Sequence, residues 1–168
     1  MSAAISPQAI IVMGVAGAGK TTVGQALAAA LDWPFYDGDD FHPPANVAKM
    51  GAGVPLTDAD RAPWLAALHA LLAARLGAGQ PLVLACSALK AAYRRQLAGE
   101  LPGVALLYLQ ASPALIAQRL QHRPGHFMPA ALAESQFAAL EPPAGVLTLD
   151  AARPVAELVA QARAALGV

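Results

Sequence analysis

Residues 14–21 read Gly-Val-Ala-Gly-Ala-Gly-Lys-Thr, with the required residue at every fixed position of the G-x-x-x-x-G-K-[ST] phosphate loop. The apolar run Ala-Ile-Ile-Val-Met at 9–13 precedes the loop, and a helix-like segment at 22–31 follows it. Strand, glycine loop and helix form the context that this motif needs. A glycine-rich turn with a chance lysine is the alternative, and the complete motif between two correct flanks weighs against it. The stretch therefore predicts an α/β fold that binds a nucleoside triphosphate.

Each part of the loop has its own task in binding the triphosphate. The glycines let successive backbone N–H groups turn inward around a phosphate, and the helix N-terminus adds the positive end of its dipole. The Lys20 ammonium can reach the β- and γ-phosphates, and the Thr21 hydroxyl can ligate Mg²⁺. The predicted nucleotide-binding residues are Gly14, Val15, Ala16, Gly17, Ala18, Gly19, Lys20, Thr21 and Thr22.

The composition restricts the kind of partner. The 168 residues suit one domain over 1–168, 57% of them are hydrophobic, and 11 Lys and Arg balance 11 Asp and Glu. No net field therefore attracts nucleic acid or an anionic membrane, and a small neutral or anionic substrate fits better. The uncharged stretches are interrupted by proline or run into the phosphate loop, so we expect a soluble protein. The single cysteine, Cys86, lies in an apolar run, which favours a buried inert thiol and a cytoplasmic location.

Short β-rich runs alternate with segments of helical spacing. The runs predict five strands, at residues 9–15, 34–36, 82–86, 104–110 and 146–150. Leucines share one face of a helix over 61–76, Ser112 before Pro113 predicts a capped helix to about residue 120, and further helices are expected at 130–140 and 155–166. The fold class is therefore α/β, with a parallel five-stranded sheet and helices on both faces.

An acidic turn, Asp37-Gly38-Asp39, follows the second predicted strand. Ligands of open parallel sheets bind outside the carboxyl ends of the strands, so both carboxylates should point toward the phosphate loop. One could hold a water of Mg²⁺, and the other could accept the proton of an attacking hydroxyl. The alternative is a solvated turn in which Gly38 supplies a positive φ. The third strand ends without an acidic residue, which assigns the metal role to Asp37 and argues against a motor or switch-type hydrolase.

A basic segment follows the fourth predicted strand and contains Arg119, Arg123 and His126. Transfer of a γ-phosphoryl group needs positive charge around its oxygens, and a mobile arginine segment is a usual source. The Pro124-Gly125 break favours a small lid at about 121–129 that excludes water when it closes. A charged pair on a solvated helix is the alternative.

Several segments together resemble the gluconate kinase family nearly end to end. Besides the phosphate loop, they are Asp37-Gly38-Asp39-x-x-His42-Pro43, Asn46-x-x-Lys49-Met50-x-x-Gly53-x-Pro55-Leu56-x-Asp58-x-Asp60-Arg61-x-Pro63-Trp64-Leu65, Cys86-Ser87-Ala88-Leu89-Lys90-x-x-Tyr93-Arg94, Arg119-Leu120-x-x-Arg123-x-Gly125-His126-Phe127 and Gln136-Phe137. The resemblance implies phosphorylation of D-gluconate at its 6-hydroxyl by ATP. It also implies a P-loop fold like that of nucleoside monophosphate kinases, dependence on Mg²⁺ and a homodimer.

The resemblance also implies a role for each site residue. It assigns the metal to Thr21 and Asp37, and catalysis to Lys20, Asp39, Arg119 and Arg123. The implied substrate residues are Asp39, His42, Arg61, Ser87, Lys90, Arg94 and His126. A guanidinium suits the substrate carboxylate, and Arg61 is the first choice, with Lys90 and Arg94 as competitors.

Alternatives remain for single residues and for the whole chain. Arg61 could instead pair with Asp58 or Asp60, and Trp64 could line the substrate pocket or anchor its helix in the core. A shikimate-type kinase would keep the fold and the loop without needing the His42-Pro43 or Trp64 segments. A catalytically silent ATP-binding regulator would keep the loop and lose the acids or the lid arginines.

Overall fold

The computed structural model describes residues 6–122 and 130–168, and a parallel sheet of five strands lies at its centre. In chain order the strands are β1 Ala9–Met13, β2 Phe35–Asp37, β3 Leu82–Ala85, β4 Val104–Gln110 and β5 Leu147–Asp150. Their order across the sheet is β2-β3-β1-β4-β5, and every neighbouring pair is parallel. The predicted five-stranded parallel sheet is confirmed.

Helices connect the strands. In the described residues they are α1 Lys20–Leu31, α2 Pro44–Gly51, α3 Asp58–Gly77, α4 Ala91–Ala98, α5 Pro113–Gln121, α6 Ala130–Ala139 and α7 Val155–Leu166. A short 3-10 turn, Gly38–Phe41, follows β2 directly. The sequence predicted all of these helices except α2 and α4, which have only eight residues each. Across the described ranges, no helix has both the length and the apolar character that a membrane span requires.

The helices cover both faces of the sheet, as predicted. On one face α1 packs against α7, and Leu27 and Leu158 are buried between them and the strands. On the other face α3 packs against α4, with Leu68 and Leu97 in the core. All five residues of β1 are fully buried between the two layers. Burial on both sides explains why the sequence of β1 is continuously apolar instead of alternating.

Side-chain caps determine where two of the helices begin. The Ser112 hydroxyl accepts a hydrogen bond of 3.1 Å from the backbone N–H of Leu115, which confirms the predicted cap of α5. In α3 the Thr57 hydroxyl accepts from the N–H of Asp60, and the Asp60 carboxylate accepts from the N–H of Thr57. This capping box starts α3 at Asp58, whereas the leucine spacing predicted a start at residue 61.

Cys86 directly follows β3 and is 2% exposed. Burial raises the pKa of its thiol to about 12. A thiol with so high a pKa carries almost no thiolate at neutral pH and is a poor nucleophile. The expectation of a buried cysteine is confirmed, and the raised pKa agrees with an inert thiol.

Candidate active site

The phosphate loop joins the end of β1 to the first turn of α1, which begins at Lys20. Its last glycine, Gly19, has a φ of 101°, in the left-handed region that favours glycine. At the first glycine the constraint is space, because a Cβ on Gly14 would lie 2.8 Å from the carbonyl oxygen of Leu109. The loop therefore passes close against β4, and Thr21 and Thr22 follow it in the exposed first turn of α1.

Lys20 folds back over the loop. Its Nζ donates a hydrogen bond of 3.1 Å to the carbonyl oxygen of Val15. Burial lowers the pKa of the Lys20 ammonium, whereas the negative charges of Asp39 and Asp37 act in the opposite direction. An ammonium group that has lost much of its water interacts strongly with an incoming phosphate, because fewer solvent dipoles screen it.

Asp37 is held on both carboxylate oxygens. The Thr21 hydroxyl donates a hydrogen bond of 2.8 Å to Oδ2, and the backbone N–H of Asp39 donates one of 3.0 Å to Oδ1. The hydroxyl of Thr21 and the carboxylate of Asp37 are both hard oxygen donors, of the kind that Mg²⁺ prefers together with water and phosphate. These two side chains therefore fit a Mg²⁺ ion next to the phosphate loop.

Gly38 is required because the turn passes so close to β3. A Cβ on Gly38 would lie 2.7 Å from the carbonyl oxygen of Ala85. The alternative of a turn in which Gly38 supplies a positive φ is wrong, since Gly38 is not among the positive-φ glycines of the described residues. The indole N–H of Trp64 donates a hydrogen bond of 2.7 Å to the Gly38 carbonyl and so fixes the turn to α3.

Asp39 lies two residues beyond Asp37, but its side chain is exposed to solvent. Partial burial raises the pKa of the Asp39 carboxyl group, the negative charge of Asp37 raises it further, and Lys20 and His42 oppose the shift. The side chain is still 84% exposed, so water screens these influences. A carboxylate with a raised pKa is the better proton acceptor.

Trp64 and His42 form a stacked pair behind the acidic turn. Their ring centroids lie 4.3 Å apart at an interplanar angle of 14°. Trp64 is 2% exposed and belongs to the core between α3 and the sheet. Of the two sequence-based alternatives for Trp64, the structure supports an anchor in the core, and the indole in turn carries the His42 ring.

The three candidate cations for a substrate carboxylate differ in their partners. Arg61 donates to the carbonyl oxygen of Leu56 and, at 3.4 Å, to the Tyr93 hydroxyl, and its guanidinium lies 5.4 Å from the Tyr93 ring centroid. Lys90 pairs with Asp58 at 3.2 Å. In the described part of the chain Arg61 has no carboxylate partner, so the expected alternative of a pair with Asp58 or Asp60 is wrong.

Arg94 is bound to backbone carbonyls. Its Nη1 donates to the carbonyl oxygens of Ala88 and Leu89 at 2.9 and 3.0 Å, and its Nη2 donates to that of Glu141 at 2.9 Å. Ala88 has a φ of 45°, a left-handed conformation that costs energy in a non-glycine residue. Arg94 therefore holds a strained segment beside the partly exposed Ser87, at the carboxyl end of β3.

Arg119 links the phosphate loop to the segment after β5. Its guanidinium donates to the carbonyl oxygens of Gly17, Ala18 and Ala151. A cleft of about 360 Å³ opens at this point, and its lining includes Gly19, Thr22, Arg119, His122, Ala151 and Arg153. The sequence indicated no contacts to a nucleotide base, because the loop at 150–154 has no distinctive pattern. The cleft combines this loop with the phosphate loop and with residues of α1, α5 and α7. Arg123, His126 and most of the predicted lid lie outside the described residues.

Gln136 is a further contact that sequence reasoning did not assign. Its Oε1 accepts a hydrogen bond of 2.6 Å from the backbone N–H of Ala16, inside the phosphate loop. Just beyond α6, the Glu141 carboxylate accepts from the N–H of Ala91 at 2.7 Å. The segment from Gln136 to Glu141 thus touches both the phosphate loop and the start of α4.

The phosphate loop, the two aspartates and the strand order define a kinase of the P-loop class, and the AAA domain family matches residues 10–143. The chain is 53% identical to the gluconokinase of Gluconobacter oxydans (strain 621H), across 83% of this chain and 78% of that protein. The thermosensitive gluconokinase of Escherichia coli (strain K12) is 40% identical, across 95% and 87% of the two chains. The crystal structure of a gluconokinase from Sinorhizobium meliloti 1021 has a TM-score of 0.88 and 47% identity, covering 96% and 93%. The chain belongs to the gluconokinase family.

Proposed function

We propose that this protein transfers the γ-phosphoryl group of ATP to the 6-hydroxyl of D-gluconate, giving 6-phospho-D-gluconate. The observation that carries the proposal is the hydrogen bond of 2.8 Å between Thr21 and Asp37, which joins the phosphate loop to the acidic turn. It supports the proposal because it brings the phosphate loop, two oxygen donors that suit Mg²⁺ and the exposed carboxylate of Asp39 to one edge of the sheet. The similarity to gluconokinases supports gluconate as the substrate.

Each charged group of the candidate site would have a separate role in the phosphoryl transfer. The Lys20 ammonium and the loop N–H groups would neutralise the β- and γ-phosphates. The Asp39 carboxylate would accept the proton of the 6-hydroxyl as its oxygen bonds to the γ-phosphorus and the bond from phosphorus to the ADP oxygen breaks. A Mg²⁺ ion held near Thr21 and Asp37 would add positive charge and orient the phosphates.

Arg61 is our proposed partner for the gluconate carboxylate. A guanidinium can donate two parallel N–H bonds to one carboxylate. In the described structure Arg61 pairs with no carboxylate and donates to the Leu56 carbonyl oxygen and the Tyr93 hydroxyl. His42, Ser87 and Lys90 would hydrogen-bond the hydroxyl groups. Arg94 would act indirectly, because its guanidinium already holds the carbonyl oxygens of the segment beside Ser87.

The nucleotide base would enter the cleft beside Arg119. This cleft is adjacent to the phosphate loop and opens between α5 and the start of α7. Arg123 and His126 keep the roles that the sequence resemblance implies, in a lid at about 121–129. Arg123 would supply positive charge to the transferred phosphoryl group, and His126 would contact the substrate. We also propose a single domain, a homodimer and a cytoplasmic location, all of which rest on the sequence.

A coupled assay of ADP release would test the substrate class. The panel should contain D-gluconate, shikimate, other sugar acids and nucleoside monophosphates at matched concentrations. We expect the highest kcat/KM for D-gluconate. A higher kcat/KM for shikimate would instead select the shikimate-type alternative, and ATP binding with no turnover of any acceptor would select the regulator.

A further inference from the structure

Asn46, on α2, is the one polar residue among the described ranges that is buried in the protein, at 3% exposure. Its side-chain nitrogen, Nδ2, donates a hydrogen bond of 2.9 Å to the backbone carbonyl oxygen of Asp60. The same nitrogen lies 3.3 Å from Nδ1 of His42. A buried amide with two such neighbours can adopt only one orientation that satisfies both of them.

The carbonyl of Asp60 determines that orientation. A carbonyl oxygen can only accept a hydrogen bond, so the NH₂ group of Asn46, and not its oxygen, must face it. The second hydrogen of the same NH₂ group then points toward Nδ1 of His42, which must offer a lone pair. The ring proton of a neutral His42 consequently lies on Nε2, since the partner of one ring nitrogen determines the state of the other.

The Nε2–H group lies on the side of the ring that is next to Asp39. Nε2 lies 3.9 Å from Oδ1 of Asp39, which is too far for a direct hydrogen bond but close enough for one hydroxyl to hydrogen-bond to both atoms. The His42 side chain is 4% exposed, and the Asp39 side chain is 84% exposed. The stacked indole of Trp64 holds the plane of the His42 ring. The ring position and the proton position are therefore both fixed by contacts within the described residues.

The electrostatic surroundings agree with a neutral ring. Burial lowers the pKa of His42, and the positive charge of Arg61, on α3, acts in the same direction. The carboxylate of Asp39, on the 3-10 turn, is the opposing charge. From α2 the ring meets the uncharged amide of Asn46, and from α3 it also meets the uncharged indole of Trp64.

We propose that Asn46 is a positioning residue, which holds His42 as the neutral tautomer with its proton on Nε2. His42 then presents a hydrogen-bond donor beside Asp39, so it can donate to a substrate hydroxyl oxygen while Asp39 accepts the hydroxyl proton. A lone pair on Nε2 would compete with Asp39 for that proton. The inference deepens the proposed function and rests on it for the identity of the hydroxyl.

Nuclear magnetic resonance can read the tautomer without any turnover. Long-range ¹H–¹⁵N correlation spectra of the whole protein, labelled with ¹⁵N-histidine, distinguish the two neutral tautomers and the imidazolium. The chain has four histidines, and His42→Gln identifies the signals of His42 by their loss. We expect the Nε2–H tautomer at neutral pH, and a proton on Nδ1 in the wild type would overturn the proposal.

Asn46→Asp tests the consequence. The carboxylate has no N–H for Nδ1 and accepts from it instead, so we expect the ring proton to move to Nδ1 and kcat to fall by on the order of tenfold or more. The KM for ATP should change little, and Asn46→Leu, which also lacks the donor, should lower kcat in the same way. A normal kcat in a folded variant whose tautomer has changed would contradict the proposal.

Thr57→Ala is the matched control. It weakens the same start of α3 by removing one half of the capping box, but Thr57 makes no hydrogen bond to His42 in the described structure. We expect a lower Tm with the wild-type tautomer and kcat. If Thr57→Ala shifts the tautomer or lowers kcat as much as Asn46→Asp does, general destabilisation explains the effect and the positioning role is wrong. If the wild type fails to phosphorylate gluconate, the proposed function fails, whereas the spectrum still decides the tautomer.

Discussion

Thr21 and Asp37 are joined by a hydrogen bond of 2.8 Å between the hydroxyl of the first helical turn and Oδ2 of the carboxylate. Oδ1 of Asp37 accepts from the N–H of Asp39, so both of its oxygens are occupied. The carboxylate of Asp39, two residues further on, is exposed to solvent. Two aspartates on one turn therefore have different surroundings, and we expect them to have different functions.

Metal rescue should separate the two aspartates. Asp37→Asn weakens an oxygen ligand, so the Mg²⁺ concentration for half-maximal rate should rise and excess Mg²⁺ should restore part of the rate. Asp39→Asn removes the proton acceptor, so kcat should fall steeply at every Mg²⁺ concentration. Steady-state kinetics over a Mg²⁺ series would check both. Rescue of Asp39→Asn alone would reverse the assignment.

Lys20→Ala should abolish phosphoryl transfer without unfolding the protein. Burial lowers the pKa of Lys20, which means that the fold disfavours the charged ammonium until a phosphate arrives. We therefore expect the apo Tm to stay close to that of the wild type. Arg163→Ala, which removes one positive charge from α7, is the control and should keep normal turnover. Near-normal turnover in Lys20→Ala would refute the proposed binding of the transferred phosphate by this loop.

Arg61→Ala should mainly affect gluconate. Loss of a charge-assisted pair costs about 1.5–3 kcal/mol, so the KM for gluconate should rise by about ten- to a hundredfold while the KM for ATP changes little. Lys90→Ala is the comparison, because the Lys90 ammonium is already paired with Asp58. We expect a smaller rise there. A larger rise of the KM for gluconate in Lys90→Ala would show that Lys90, and not Arg61, binds the gluconate carboxylate.

The pair between Lys49 and Asp60 should make stability depend on pH at the acid end. Hydrogen bonds from Lys49 and Thr57 lower the pKa of Asp60 to about 2, below its unfolded value of about 3.9. The stabilisation is therefore complete above about pH 4 and is lost as the pH falls through about 2. Denaturant melts of wild type and Asp60→Asn should differ most at neutral pH and converge toward pH 2. An equal difference at pH 7 and pH 2 would contradict this assignment.

Local sequence patterns predicted the sheet because the features that specify its strands lie within short stretches of the chain. A complete phosphate loop, continuously apolar strands and the Ser112 cap each depend on neighbouring residues, and the bounds of α7, Val155–Leu166, agree with the prediction. The eight-residue helix α2 is different, since its fixed contact is a hydrogen bond from Asn46 to Asp60, fourteen positions away. No periodicity within α2 can reveal that contact.

The sequence predicted which residues lie at the candidate site, but it did not predict their hydrogen-bond partners. Arginines near a kinase site suggest phosphate or carboxylate ligands, yet Arg94 and Arg119 bind backbone carbonyls in the structure. Backbone acceptors leave no trace in side-chain patterns, and two of the three acceptors of Arg119 lie about a hundred positions away. The same limitation concealed Gln136, whose partner is the N–H of Ala16.

The position of the transferred phosphate tests the central claim most directly. The protein should be incubated with ATP, Mg²⁺ and D-gluconate, and the product analysed by ¹H–³¹P correlation spectroscopy, with Lys20→Ala as the matched control. We expect a single new phosphomonoester whose phosphorus couples to the two C6 protons, formed with one ADP per gluconate and absent from the control. A phosphate on any other carbon, or ADP release that does not depend on gluconate, would contradict it.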